Sequence, residues 1–197
     1  MNLQKMFEMQ AELDRRIIRE KGLEGQDLLP NTYVALITEL GEFANEGRWF
    51  KHWSNIQEPE QPKYNWMINK DDLEWKPEYG YKSYPLLEEY ADCLHFFLSI
   101  AIKKGWHDEL HVSEEIFFGF DEFGFEGGLS GVYLEMQWSL LNSRMFKDEE
   151  KKKEHFRSAW GLFLAIGIVG FGFTPEQIEK AYMEKNEVNH KRQQEGY

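Results

Sequence analysis

The 197-residue chain has a single cysteine, no apolar run long enough to cross a bilayer, and far fewer basic than acidic side chains. Each shortage excludes something. Cys93 alone cannot build an intramolecular disulfide framework. The longest apolar run, Trp160 to Phe173, covers 14 residues with four glycines among them, short of the roughly 20 that span a membrane. It reads as a core helix. With 23 Lys and Arg against 35 Asp and Glu, the net charge of −12 argues against a nucleic-acid polymer as ligand, because such proteins concentrate an excess of basic residues on one face. A small anionic substrate remains compatible where positive charge gathers locally. The opening MNLQKMFEMQ lacks the continuous apolar stretch of a signal peptide, so no membrane partner and a cytoplasmic location are expected. Sustained β-alternation and internal repeats are missing too, and the expected fold class is all-α, a helical bundle.

The chain is 42% hydrophobic and 16% aromatic, enough to bury one substantial core, and a single domain over residues 1–197 is expected. Leu3, Met6, Phe7, Gln10, Leu13, Ile17 and Ile18 recur at steps of three and four, which predicts an amphipathic helix ending near Gly22. A second helix, capped by Asp27 or Asn31, runs to about Trp49. Between Lys51 and Pro85 the periodicity stops and four prolines appear among tryptophans and tyrosines, so residues 53–84 read as an insertion or lid. A third helix spans Pro85 to Ile102 and stops at Lys103 to Gly105. Further helices are expected over Ser130 to Met145 and Glu149 to Ile168, and Thr174, Pro175, Glu176 and Gln177 signal the start of a last one reaching about His190.

Two acidic doublets stand inside this apolar helical sequence: Glu39 with Glu42, and Glu89 with Asp92. A spacing of three puts both carboxylates of a doublet on one helix face. From Pro85 to Ile102 the only charged side chains are Glu88, Glu89 and Asp92, and leucines, phenylalanines and isoleucines point all round the helix. That is the pattern of a buried helix. Four ionised carboxylates gathered in a bundle interior would repel and lose solvation unless a cation neutralised them. Carboxylates without His or Cys partners suit Mg²⁺, with Mn²⁺ as a substitute, and Mg²⁺ commonly completes its shell with water and substrate phosphates. The doublets therefore point to nucleotide chemistry.

The strings NTYVALITELGEFANEGRWFKHW and LLEEYADCLHFFLSI and the ending KNEVNHKRQQEGY together resemble the all-α dimeric dUTPases, the branch of NTP pyrophosphatases related to MazG proteins. The acidic doublets alone would support only an all-α NTP pyrophosphatase. The narrower resemblance rests on Gln10, on Trp49, Lys51 and Trp53, on His95, and on Lys185, Asn186, Asn189, Arg192 and Tyr197. One departure is the 46 residues between Glu42 and Glu89, more than in compact MazG-like proteins, which leaves the insertion's role as lid or dimer contact open.

The resemblance implies a homodimer that hydrolyses dUTP to dUMP and pyrophosphate and so limits uracil incorporation into DNA. It implies that Glu39, Glu42, Glu89 and Asp92 hold Mg²⁺ against the triphosphate, with Glu42 also orienting the attacking water. Lys185 and Arg192, with His190 and Lys191 beside them, are expected on the phosphates, Asn189 on the base or sugar, and Tyr197 over the nucleoside. Gln10 and His95 are the expected polar contacts to uracil, with Trp49 or Phe96 stacking and Lys51 nearby. Two other readings compete: an NTP pyrophosphatase of the same scaffold preferring dCTP or modified nucleotides, and a non-catalytic helical protein with a structural cation. A diiron bundle would need Glu-x-x-His ligand pairs, and His95 lies six residues after Glu89.

Overall fold

The computed structural model describes residues 1–66, 80–111 and 114–196. Helix α1 spans Leu3–Glu20, α2 Leu29–Gly47, α3 Pro85–Lys104, α4 Glu114–Phe123, α5 Gly128–Met145, α6 Glu149–Ala165 and α7 Pro175–Gln194. The all-α expectation holds. One addition is a short antiparallel pair inside the insertion, β1 (Lys63–Trp66) against β2 (Gly80–Ser83), with Lys63 opposite Ser83. Strands of four residues are too short for a two-residue alternation to stand out in the sequence. The rest of the expected lid, residues 67–79, lies outside the described residues.

Local chemistry explains where the helices begin and end. Asn2 caps α1 by accepting from the Lys5 N–H at 3.1 Å. Asp27 accepts from the Leu29 N–H at the start of α2, whereas Asn31 lies inside that helix. Arg48, at φ 64°, ends α2, and Gly105, at φ 66°, ends α3. Thr174 and Gln177 form a reciprocal capping box at the start of α7, an arrangement whose loss costs about 1 kcal/mol. After α6 the chain continues through one wide turn, Ile166–Gly170, with π-type hydrogen bonding.

Helix α3 is the central element, packed against α2 over its length and against α1 and α7 on other sides, while α5 and α6 pair through a short connection. Leu86, Tyr90, Leu94, Phe97, Leu98 and Ile100 of α3 are fully buried. Burying each such side chain contributes roughly 1.5–3 kcal/mol, so α3 is firmly held in the bundle. Tyr90 stacks on Phe163 at 4.2 Å between ring centroids and donates its hydroxyl to the Phe163 carbonyl. Helix α7 is tied to the N-terminus: Tyr182 donates to the Met6 carbonyl at 3.0 Å, and Glu179 accepts from the Asn2 N–H at 2.8 Å. These ties hold the cations of α7 over the acidic faces of α2 and α3.

Candidate active site

Leu36, Leu40 and Phe43 anchor α2 in the core, and Glu39 and Glu42 lie at the edge of that buried face, where helix periodicity brings them beside the face of α3 that carries Glu89 and Asp92. All four carboxylates line one cavity of about 600 Å³, a size usual for small-ligand sites. Glu39, Glu89 and Asp92 each place a carboxylate oxygen within 4.8 Å of the others. Glu42 lines the same cavity from its exposed rim but stands outside that tight group.

The negative charge of the group is only partly compensated by Lys185. Burial, reinforced by Asp92, Glu42 and Glu89, pushes the Glu39 carboxyl up to about 7 against the pull of Lys185. Burial and then Asp92 also raise Glu89. Asp92 is raised by burial even though Lys185 Nζ lies 2.5 Å from its Oδ2. Three clustered carboxylates that favour protonation are a site short of positive charge, and oxygen donors with no thiolate or imidazole in the group fit a hard divalent cation.

The other walls come from α1 and α7. Lys185, Asn189 and Arg192 line the cavity from α7, and Gln10, His95 and Phe96 line it from α1 and α3. Gln10 and His95 form one buried unit: His95 Nδ1 lies 2.6 Å from Gln10 Oε1, and the His95 ring stacks on Tyr182 at 4.3 Å. Burial, with Lys185 adding to it, pushes the imidazole down to about 3, so His95 is neutral at physiological pH. Its Nε2 is buried without a hydrogen-bond partner among the described residues.

Not every expected contact joins this cavity. Trp49 packs between Phe43, Tyr133 and Phe171 at 5.6–5.9 Å between ring centroids and is not among the cavity-lining residues. Lys51 donates to the Asn45 carbonyl beyond the end of α2. The Arg48 turn directs both away from the carboxylates. Arg16 approaches His190 Nδ1 and donates to the His190 carbonyl, both at 3.2 Å, while Lys191 stands by Glu195 on the exposed side of α7. Tyr197 lies outside the described residues. Conversely, Asp14 and Gln193 line the cavity without having been singled out in the sequence. The spacing of four from Gln10 to Asp14 was the available signal for the first.

An all-helical bundle in which carboxylates of two helices face cations of a third is the architecture of the all-α NTP pyrophosphatases. The dUTPase family model matches residues 2–66 and 74–197, and the chain belongs to that family, in its all-α type, with hydrolysis of dUTP as its activity. No curated protein matches the chain. Enzymes of this kind generally depend on a divalent metal, which the acidic cluster suits.

Proposed function

We propose that the chain is one domain that converts dUTP to dUMP and pyrophosphate with Mg²⁺, Mn²⁺ being able to substitute, and thereby limits uracil incorporation into DNA. The observation that carries this reading is the acidic cluster of Glu39, Glu89 and Asp92 sharing one cavity with Lys185 and Arg192. Such a cavity offers oxygens for a metal and cations for phosphate side by side. When bound, the metal would neutralise the triphosphate and lower the pKa of the attacking water.

The protein's own groups then divide the work. Glu39, Glu89 and Asp92 hold the metal with Glu42, whose exposed rim position also suits it to orient a water and take its proton. Lys185 and Arg192 bind phosphate oxygens, the guanidinium in a two-pronged fashion. Neutral His95 and the Gln10 amide read the uracil edge, Phe96 supplies the apolar wall in place of Trp49, and Asn189 meets the sugar or base. Burial of Gln10 and His95 keeps water from competing for these contacts.

Pyrophosphate release from dUTP, dCTP, dTTP and UTP, with Mg²⁺ and with EDTA, tests the reading. Turnover selective for dUTP, lost in EDTA and in Glu42→Gln, is expected. Equal turnover of all four nucleotides, or turnover that survives EDTA, overturns it.

We also propose a cytoplasmic homodimer. Among the described residues no single helix is long and apolar enough to cross a membrane, and the one cysteine is free and buried. Leu134, Trp138, Leu141 and Met145 are all exposed, at 66%, 59%, 44% and 72%, along α5. Steps of four, three and four make one straight apolar seam, the spacing with which a helix packs on a copy of itself about a two-fold axis.

A further inference from the structure

Asp14 lines the same cavity without belonging to the tight group of Glu39, Glu89 and Asp92, and both of its oxygens accept hydrogen bonds within the protein. On α1 it follows Gln10 by four residues, and on α3 His95, Ser99 and Lys103 follow one another by four. The two helices therefore present facing ladders. Asp14 Oδ1 accepts from Gln10 Nε2 at 2.8 Å. Asp14 Oδ2 accepts from Ser99 Oγ at 2.5 Å and from Lys103 Nζ at 2.9 Å, and Lys103 also donates to Ser99 Oγ at 2.6 Å. A half-buried ion pair adds little net stability, whereas it is well suited to holding one arrangement of its neighbours.

The neighbour held here is Gln10. An ionised carboxylate can only accept, so Asp14 fixes the amide nitrogen of Gln10 on its own side. The amide oxygen is thereby turned toward His95 Nδ1 at 2.6 Å and the Tyr182 hydroxyl at 3.1 Å. Gln10 is 4% exposed, and turning its amide over would set its carbonyl oxygen against the Asp14 carboxylate, two acceptors with no proton between them. An amide nitrogen has two N–H donors. With one on Asp14, the second remains for the cavity that Gln10 lines. An occupant of the cavity thus meets a donor at this point. Uracil offers an acceptor, O4, where cytosine offers a donor, its 4-amino group, so a fixed donor favours the first and opposes the second.

We propose that Asp14, anchored by Lys103 and Ser99, is a specificity-determining positioning residue: it locks the Gln10 amide with a donor toward the base and so sets the preference for uracil over cytosine. The proposal rests on the reading of Gln10 as a base contact, and its test separates the two. The measurement is kcat and KM for dUTP and dCTP with Asp14→Asn, Lys103→Met and Gln10→Glu.

Asn at position 14 presents either an oxygen or an amide nitrogen to Gln10, which frees the Gln10 amide to turn. The ratio of kcat/KM for dUTP over dCTP should fall at least tenfold in Asp14→Asn, with the loss for dUTP in KM more than in kcat. Lys103→Met should shift the ratio the same way by a smaller factor, and it decides the matter if Asp14→Asn does not fold. Gln10→Glu removes the donor outright and should collapse the ratio. A changed ratio in Gln10→Glu alongside an unchanged one in both other variants overturns the proposal and leaves Gln10 as a base contact. Losses in Asp14→Asn that are equal for the two nucleotides assign a merely structural role and overturn it too. An unchanged ratio in Gln10→Glu removes the base contact itself, and the proposal with it.

Discussion

Lys185 Nζ lies 2.5 Å from Asp92 Oδ2, so the ammonium suited to the triphosphate rests on a carboxylate suited to the metal. A divalent cation and Lys185 would compete for Asp92, and a bound phosphate would draw the lysine away. Lys185→Met should accordingly tighten divalent-cation binding to the nucleotide-free protein several-fold, as read by calorimetry. The same variant should raise KM for dUTP roughly 10- to 100-fold, the worth of a charge-assisted hydrogen bond of about 1.5–3 kcal/mol. Weaker metal binding in Lys185→Met would show that the lysine supports the metal site rather than competing with it.

The acidic cluster trades stability for function. Glu39→Gln and Asp92→Asn each remove one charge from three carboxylates that burial and mutual repulsion already disfavour as anions. Both variants should lose at least a thousandfold in kcat/KM and most of their divalent-cation affinity. In EDTA, Glu39→Gln should nonetheless melt at a higher temperature than the parent. Asp92→Asn should gain less, since it also removes the Lys185 ion pair. A lower melting temperature for Glu39→Gln in EDTA would contradict the cost assigned to burying Glu39 among like charges.

The same residue gives the metal-free protein a distinct pH dependence. The Glu39 carboxyl is raised from 4.5 to about 7 in the folded protein, chiefly by burial. Between those values the folded state holds a proton that the unfolded chain has released, so stability falls as pH rises. The contribution is fully present below pH 4.5 and gone above pH 7. Because Glu39 is half-exposed, the loss is on the order of 1 kcal/mol after screening by solvent. Urea denaturation in EDTA at pH 5 and pH 7.5 should show it, and Glu39→Gln should flatten the difference. An undiminished slope in that variant would assign the pH dependence to other groups.

How much of this was legible in the sequence follows from how locally each feature is encoded. Helices α1, α3 and α7 were readable because their period, caps and stop signals lie within the segment itself, and the acidic doublets were readable because charge inside an apolar helix stands out. Trp49 was misleading: an aromatic residue next to a functional doublet looks the same whether it faces a ligand or a neighbouring core. What decides is the left-handed turn at Arg48, which carries Trp49 into the Phe43, Tyr133 and Phe171 cluster. Asp14 is not legible in the sequence because its partners Ser99 and Lys103 lie 85 and 89 residues away. Helix α4 falls in a stretch where the sequence predicts no helix, since short helices give little periodic signal.

The α5 seam makes a prediction about assembly. Trp138 and Leu134 are among the most exposed large apolar side chains of the described residues, and Trp138→Glu would set two like charges close together across a two-fold contact. Light scattering should find a dimer for the parent chain and a monomer for Trp138→Glu, with the helical circular dichroism unchanged. A parent chain that is monomeric at micromolar concentration would remove the seam's assigned role.

Gly167 tests how tightly the core positions the metal-binding helix. It lies in the wide turn after α6, directly over Tyr90 of α3, and a Cβ there would come within 2.5 Å of Tyr90 Cζ. Tyr90 cannot withdraw, because its ring is stacked on Phe163 and packed edge-on against Phe43 and Phe173. Gly167→Ala must therefore push α3 or the turn aside, at a cost of about 1–3 kcal/mol for an overpacked core. Glu89 precedes Tyr90 in the chain, so a displaced α3 also displaces a carboxylate proposed to hold the metal. The variant should lose stability in urea and, in addition, several-fold in divalent-cation affinity at temperatures where it remains folded. Tyr90→Phe keeps the ring and removes one buried hydrogen bond, and should cost about 1 kcal/mol with metal affinity intact. Gly167→Ala with unaltered metal affinity would show that the turn, not α3, absorbs the strain.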